Sequence, residues 1–169
     1  MTFRQALPLA DSSSQASKLK ELYKNTPDVV MPEPFKRNDN LSVKFWDRHT
    51  WIGWVKSEKE RGMFGSGAQG KGVNSSFVED MDGNRVQFPR QKEILKQARD
   101  AWCTMADCGI NLKPHSDMSA PPMNYFRAWM ESKCPELQLC ANHWKADEIW
   151  QENFSSWPGS SSGKVSGFG

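Results

Sequence analysis

No stretch of the sequence approaches the ~20 consecutive apolar residues that a membrane-spanning helix needs, so no membrane partner is expected. The opening "MTFRQALPLADSSS" offers only a short apolar patch, Ala6 to Ala10, broken by Pro8, and no secretory leader is read there. An excess of one charge sign is also missing. The 22 Lys and Arg face 20 Asp and Glu, a net +2, which exerts no strong pull on nucleic acid or an anionic surface. Residues 1–75 hold 12 basic against 8 acidic side chains, residues 76–169 hold 10 against 12, so a faint basic bias lies in the N-terminal half. Signatures of common chemistry are lacking too: there is no "GxSxG", no "HExxH" and no paired "CxxC". With no leader in view, the four cysteines, Cys103, Cys108, Cys134 and Cys140, are expected as free thiols in a reducing intracellular setting, cytoplasm or nucleus.

Tryptophan is what the chain has in excess. Eight in 169 residues is enough to dominate a core, and large rings at helical spacing usually fill one. The length suits one domain. Residues 1–15 and 156–169 read as a flexible leader and tail, Gly- and Ser-rich in part, around a helical body at 16–155 with a glycine-rich loop at 62–75.

Periodicity predicts an all-α domain of four to six helices with one small β-hairpin. "SSQASKLKELYKN" places Ala16, Leu19, Leu22 and Tyr23 on one face, with Ser14 as a cap. "TPDVVMPEPF" is an extended, proline-punctuated linker. In "LSVKFWDRHTWIGWVKSEKERG" the residues Phe45, Trp46, Ile52 and Val55 share a broad buried stripe with Trp51 and Trp54 on its flanks. Gly53 weakens the middle, and two short helices broken near His49 are as consistent as one long helix. Asp82-Gly83, between Phe77-Val78 and Val86-Phe88, signals the hairpin. "PRQKEILKQARDAWCTMADCG" starts at Pro89, stops at Gly109 and buries Ile94, Leu95, Ala98, Trp102, Met105 and Ala106. A fourth helix is capped by Ser119, with Met123, Phe126, Trp129 and Met130 inward. The last is capped by Asn142 and buries Ala146, Ile149, Trp150 and Phe154.

"GSGAQGKG", residues 65–72, spells most of a phosphate loop, but Gly72 stands where a Mg²⁺-binding hydroxyl belongs. Such a loop also needs a buried strand before it and a helix start after it. Charged "KSEKERGMF" precedes it and "VNSSFVEDMDG" follows, so it reads as a connector. "DMDGN" resembles a calcium loop only superficially, since Arg85 and Gln91 occupy the positions of the required Gly and Glu. Cys134, Cys140 and His143 lie close in sequence, with Cys108 or His115 as a further zinc ligand, yet two tight ligand pairs are missing and packing is the reading adopted. His115 and Asp117 form a His-x-Asp pair that reads as a polar turn. No metal, cofactor or catalytic residue is assigned, and the chain reads as leaning away from catalysis.

Two binding functions remain. A non-enzymatic interaction module would recognise a protein partner, or a second copy of itself, through an aromatic helical surface anchored by Trp51 and Trp54. The alternative is a regulatory nucleic-acid-binding module, resembling a helix-turn-helix over residues 36–61, with Lys44, Arg48, Lys56, Lys59 and Arg61 on its basic face. That alternative requires the five cations to converge.

Two longer stretches carry a resemblance. "FVEDMDGNRVQFPRQKEILKQARDAWCTMADCGINLKPHS" and "MNYFRAWMESKCPELQLCANHWKADEIWQENFSSW" together resemble a group of uncharacterised proteins from mushroom-forming fungi, over about residues 40–157. Members often carry a part like "LSVKFWDRHTWIGWV" before them. The resemblance implies a eukaryotic intracellular setting and assigns no activity or site residue.

Overall fold

Five α-helices and the turns between them account for the described residues of the computed structural model, 3–62 and 76–160, with side chains described from Ser14 onward. The glycine-rich stretch 63–75, including "GSGAQGKG", lies outside them, as does 161–169. The helices are α1 (Phe3–Asn25), α2 (Arg48–Glu60), α3 (Phe88–Asp107), α4 (Ala120–Lys133) and α5 (Trp144–Asn153). Among the described residues no helix is long and apolar enough to cross a membrane. No strand occurs among the described residues.

α3 and α4 follow their sequence patterns closely. Pro89 sits in the first turn of α3, and Gly109 ends it at φ +89° with its N–H on Ala106 O. That positive φ is the conformation in which a β-carbon is disfavoured. Ile94, Ala98, Ala101, Trp102 and Met105 are buried along one stripe, while Ala106 faces out. On α4, Met123, Phe126, Trp129 and Met130 are buried as expected. Trp102 is the hub where α3, α4 and α5 meet. It stacks on Phe126 at 5.7 Å and 3°, and takes Trp150 and Phe154 edge-on at 5.7 and 5.4 Å. Trp157 closes the cluster at 5.8 Å, so the core packing continues beyond residue 155.

Three local expectations change. α1 is helical from Phe3, so Ser14 lies inside it instead of capping it. His143, not Asn142, is the residue at the start of α5, and both have positive φ, 63° and 58°. The expected hairpin contracts to a turn that closes one isolated antiparallel bridge, Glu79 to Arg85. Asp80 is the reason: its Oδ1 accepts N–H bonds from Asp82 and Asn84, which winds the chain into a local side-chain-stabilised turn before strands can extend.

α1 docks its second half on the C-terminal end of α3 and the side of α4. Leu19 and Leu22 are buried, Tyr23 meets Tyr125 edge-on at 5.0 Å, and Thr26 Oγ1 hydrogen-bonds the Tyr125 hydroxyl at 2.9 Å.

Candidate functional site

The part of the chain that drew both binding readings is α2, and its register decides what it can present. Residues 40–47 are not helical, and α2 begins only at Arg48. Residues 36–61 therefore hold one α-helix and a short 3-10 turn, Arg37–Asp39, and of the two arrangements weighed there the pair of helices that the nucleic-acid alternative needs is not formed. Removing Phe45 and Trp46 from the helix also rotates its buried stripe. Trp51, Trp54 and Glu58, spaced three and four apart, face inward; Trp51 is buried and stacks on Trp54 at 5.4 Å. Ile52, expected inside, is 46% exposed. Arg48, Ile52, Val55 and Lys59, again spaced four, three and four, form the neighbouring stripe.

The segment before α2 is held by a buried ion pair. Glu79 accepts the backbone N–H of Lys44 on Oε1 and of Phe45 on Oε2, both at 2.9 Å, and its Oε2 lies 3.4 Å from Lys145 Nζ. Lys145 lies in the first turn of α5, and burial pushes its pKa below the ordinary lysine range. Trp144 adds a third tie, donating its indole N–H to Trp46 O at 2.8 Å. Phe45, Trp51, Trp54, Phe77 and Trp144 then pack as a second aromatic cluster, with ring separations of 5.3–5.5 Å.

Between α2 and α5 this arrangement leaves a cavity of about 250 Å³, lined by Trp51, Ile52, Val55, Lys59, Phe77, Glu148 and Glu152. Its walls are apolar and aromatic. Its acidic groups come from one stripe of α5, where Glu148 and Glu152 lie four residues apart and therefore side by side. Glu148 is buried and takes Arg48 Nε on Oε1 at 3.1 Å. Glu152 is more exposed. Its pKa is raised above the ordinary carboxylate range, first by burial and then by a hydrogen bond to Glu148, against the opposing pull of Lys59 and Arg48. A carboxyl with a perturbed pKa in an aromatic hollow marks a site where a ligand is worth seeking.

The five cations do not form one face. Arg48 is engaged by Glu148 and Arg61 Nη1 by Glu58 at 3.0 Å. Lys56 and Arg61 lie about 140° apart around the helix axis at 3.6 residues per turn. Lys44 precedes the helix and lines a different hollow, of about 180 Å³, with Phe45, Trp54 and Arg85. Of that set only Lys59 lines the α2–α5 cavity, while Arg48 reaches its edge through Glu148; of the two tryptophans, Trp51 lines it and Trp54 stacks on Trp51.

The residues weighed as zinc ligands have separate occupations. Cys134 is fully buried, and burial pushes its thiol up to about 12. Cys140 directs its Sγ to Leu137 O at 3.4 Å and is pushed up to about 11, so neither is poised as a thiolate. His143 Nδ1 is 2.6 Å from Glu131 Oε2. Among the described residues no cluster of three or more His, Cys, Asp or Glu side chains has metal-binding geometry. His115 places its Nε2 3.4 Å from Asp147, which Arg127 already grips with two 2.7 Å bonds.

Glu148 and Glu152 escaped the sequence reading. Their spacing was visible in "EIWQE", but carboxylates one turn apart normally mark a solvated face. Only the position of α2 places them at a cavity. No family model matches the chain, and neither a curated protein nor a solved structure matches it.

Proposed function

We propose that the protein is an interaction module that binds another protein through the α2–α5 cavity, with the exposed stripe of α2 as its rim. One observation carries this reading. A hollow of about 250 Å³ falls below the range of roughly 300–1,000 Å³ usual for small-molecule pockets, yet suits a side chain projecting from a partner. Buried Trp51 and Phe77 give the hollow a rigid floor, and Ile52 and Val55 supply its apolar sides, as in anchoring pockets at protein interfaces. Ile52 beside the opening adds exposed apolar surface to the rim. The nucleic-acid alternative draws on the same stretch but would have to act with two of its five cations already engaged by carboxylates.

Display selection of short peptides on the wild-type chain, counter-selected on Ile52→Trp, tests the reading. Ile52 is exposed, so a larger ring there covers the opening without disturbing the core. Peptides that bind the wild-type chain at least ~10-fold more tightly than the covered variant, with shallow salt dependence, support it. Duplex DNA binding with a steep salt slope, lost on Lys56→Ala and Lys59→Ala, would replace it with the nucleic-acid reading. A selection that never discriminates the two chains would remove the cavity from consideration.

A further inference from the structure

The charges around the cavity are unevenly matched. Arg48 engages Glu148 from the α2 side. Glu152, one turn further along α5, has no ion pair among the described residues; the cations that act on it, Lys59 and Arg48, do so at longer range. Lys59 lines the cavity but is exposed, on a long flexible stem that can swing into solvent. Beside this second carboxylate lie Trp51, Val55 and Phe77, an apolar slot with an aromatic wall. Two adjoining carboxylates answered by one close cation leave an acidic end to an otherwise greasy slot.

A ligand complementary to that slot has an aliphatic stem and a terminal positive charge. Lysine and arginine side chains have this form, burying their methylenes while keeping the charged head on a polar group. An acidic side chain would instead meet Glu148 and Glu152 with only Lys59 unengaged. A purely apolar side chain would leave Glu152 beside it partly desolvated with no close cation.

We propose that the α2–α5 cavity receives a basic side chain of the protein partner, with its stem along Val55 and Ile52 over the largely buried Trp51 and its cation on Glu152 beside Glu148. This inference rests on the reading of that cavity as a protein-binding site and names what enters it. Lys59 is then the resident competitor of the incoming cation. Removing its charge strengthens binding, an effect opposite in sign to the one an anionic ligand would show.

The experiment titrates the wild-type chain with N-acetyl-lysine methylamide, with the norleucine analogue that keeps the stem and lacks the charge, and with the glutamate analogue. Tryptophan fluorescence and indole N–H resonances report binding at low salt and pH 7. The expected result is saturable binding of the lysine probe, with norleucine ~10-fold weaker, the factor that one charge-assisted hydrogen bond supplies. Glu152→Gln weakens the lysine probe by a similar factor, and Lys59→Met strengthens it. Lowering the pH into the range where Glu152 holds its proton weakens the lysine probe too, because proton and cation compete for one carboxylate; Glu148, Arg48 and Lys59 are the other charged groups facing it. Equal binding of norleucine, preference for glutamate, or no saturable binding of the lysine probe would each overturn the inference. Peptides that discriminate wild type from Ile52→Trp but carry no basic anchor would overturn it as well, while leaving the interaction-module reading intact.

Discussion

Lys145 Nζ lies 3.4 Å from Glu79 Oε2, with the two side chains 0% and 2% exposed. The pair joins the first turn of α5 to a residue 66 positions earlier. Because Glu79 also accepts two backbone N–H groups, from Lys44 and Phe45, the carboxylate has three partners, each on a separate segment from its own. Buried charges are tolerated only when so many bonds replace the water they lose. The pair therefore fixes where the chain enters α2, and through α2 the shape of the cavity.

Glu79→Ala should be among the most damaging single changes in this region. It strands Lys145 in the interior and leaves two backbone donors unanswered, with an expected loss of about 3–5 kcal/mol. Lys145→Met should cost less, since Glu79 keeps both backbone donors and the methylenes are replaced nearly in kind. Urea denaturation curves of the two variants, compared through their midpoints at constant slope, check the order.

Gly83→Ala should be poorly tolerated. Gly83 has φ +81°, and a β-carbon there would collide with the backbone carbonyl of Ser42. Strain of this kind costs on the order of 1–3 kcal/mol before any collision is relieved. Gly53→Ala is the opposite case: it lies inside α2 with nothing within 4 Å of the added carbon, so it should stabilise by about 0.5–1 kcal/mol. Thermal melts of both variants read the contrast directly.

The His143–Glu131 pair should make stability fall as pH rises. The hydrogen bond to Glu131 lifts the pKa of His143 above its ordinary 6.5, against burial, which lowers it. The folded chain then holds a proton that the unfolded chain has released. This contribution is complete below pH 6.5 and disappears as pH rises through the folded-state value. With His143 a third exposed, its size is limited to about 1 kcal/mol. Melting temperatures of wild type and His143→Gln, measured from pH 5 to 9, should converge at the alkaline end.

Glu152→Gln should stabilise the chain at neutral pH. The folded-state pKa of Glu152 is raised, so the proton-linked stability is present below the ordinary value of 4.5 and is lost as pH rises through the folded value. At pH 7 wild type carries an ionised Glu152 that repels Glu148, and the amide removes that repulsion. The gain is small, under about 1 kcal/mol, because Glu152 is substantially exposed to solvent screening. Melting curves at pH 4 and 7 should show the variant's advantage only at pH 7.

The helical architecture was legible wherever a long amphipathic run carried its own punctuation. Pro89 and Gly109 bracket α3, and the stripes from Ile94 to Met105 and from Met123 to Met130 point inward as their spacing requires. The phase of α2 is misleading in the sequence because Phe45 and Trp46 look like its first turn, while in the fold Glu79 takes the backbone N–H groups of Lys44 and Phe45 and holds that segment out of the helix. The Asp82-Gly83 signal marked a chain reversal, but nothing local revealed that Asp80 would satisfy it with a side chain. Trp51 and Lys59 stand out in the sequence for two different functions, and the fold places both at one hollow, with Arg48 tied to its Glu148. Glu148 and Glu152 were illegible because their significance depends on α2, roughly a hundred residues away.

The tie between Glu79 and Lys145 also orders events during synthesis. A ribosome adding ~5–20 residues per second needs roughly 3–13 s to travel from one to the other. Throughout that interval Phe45, Trp51 and Phe77 are without Trp144 and the helix that closes over them. The entry to α2 therefore takes its final form only after α5 has been made.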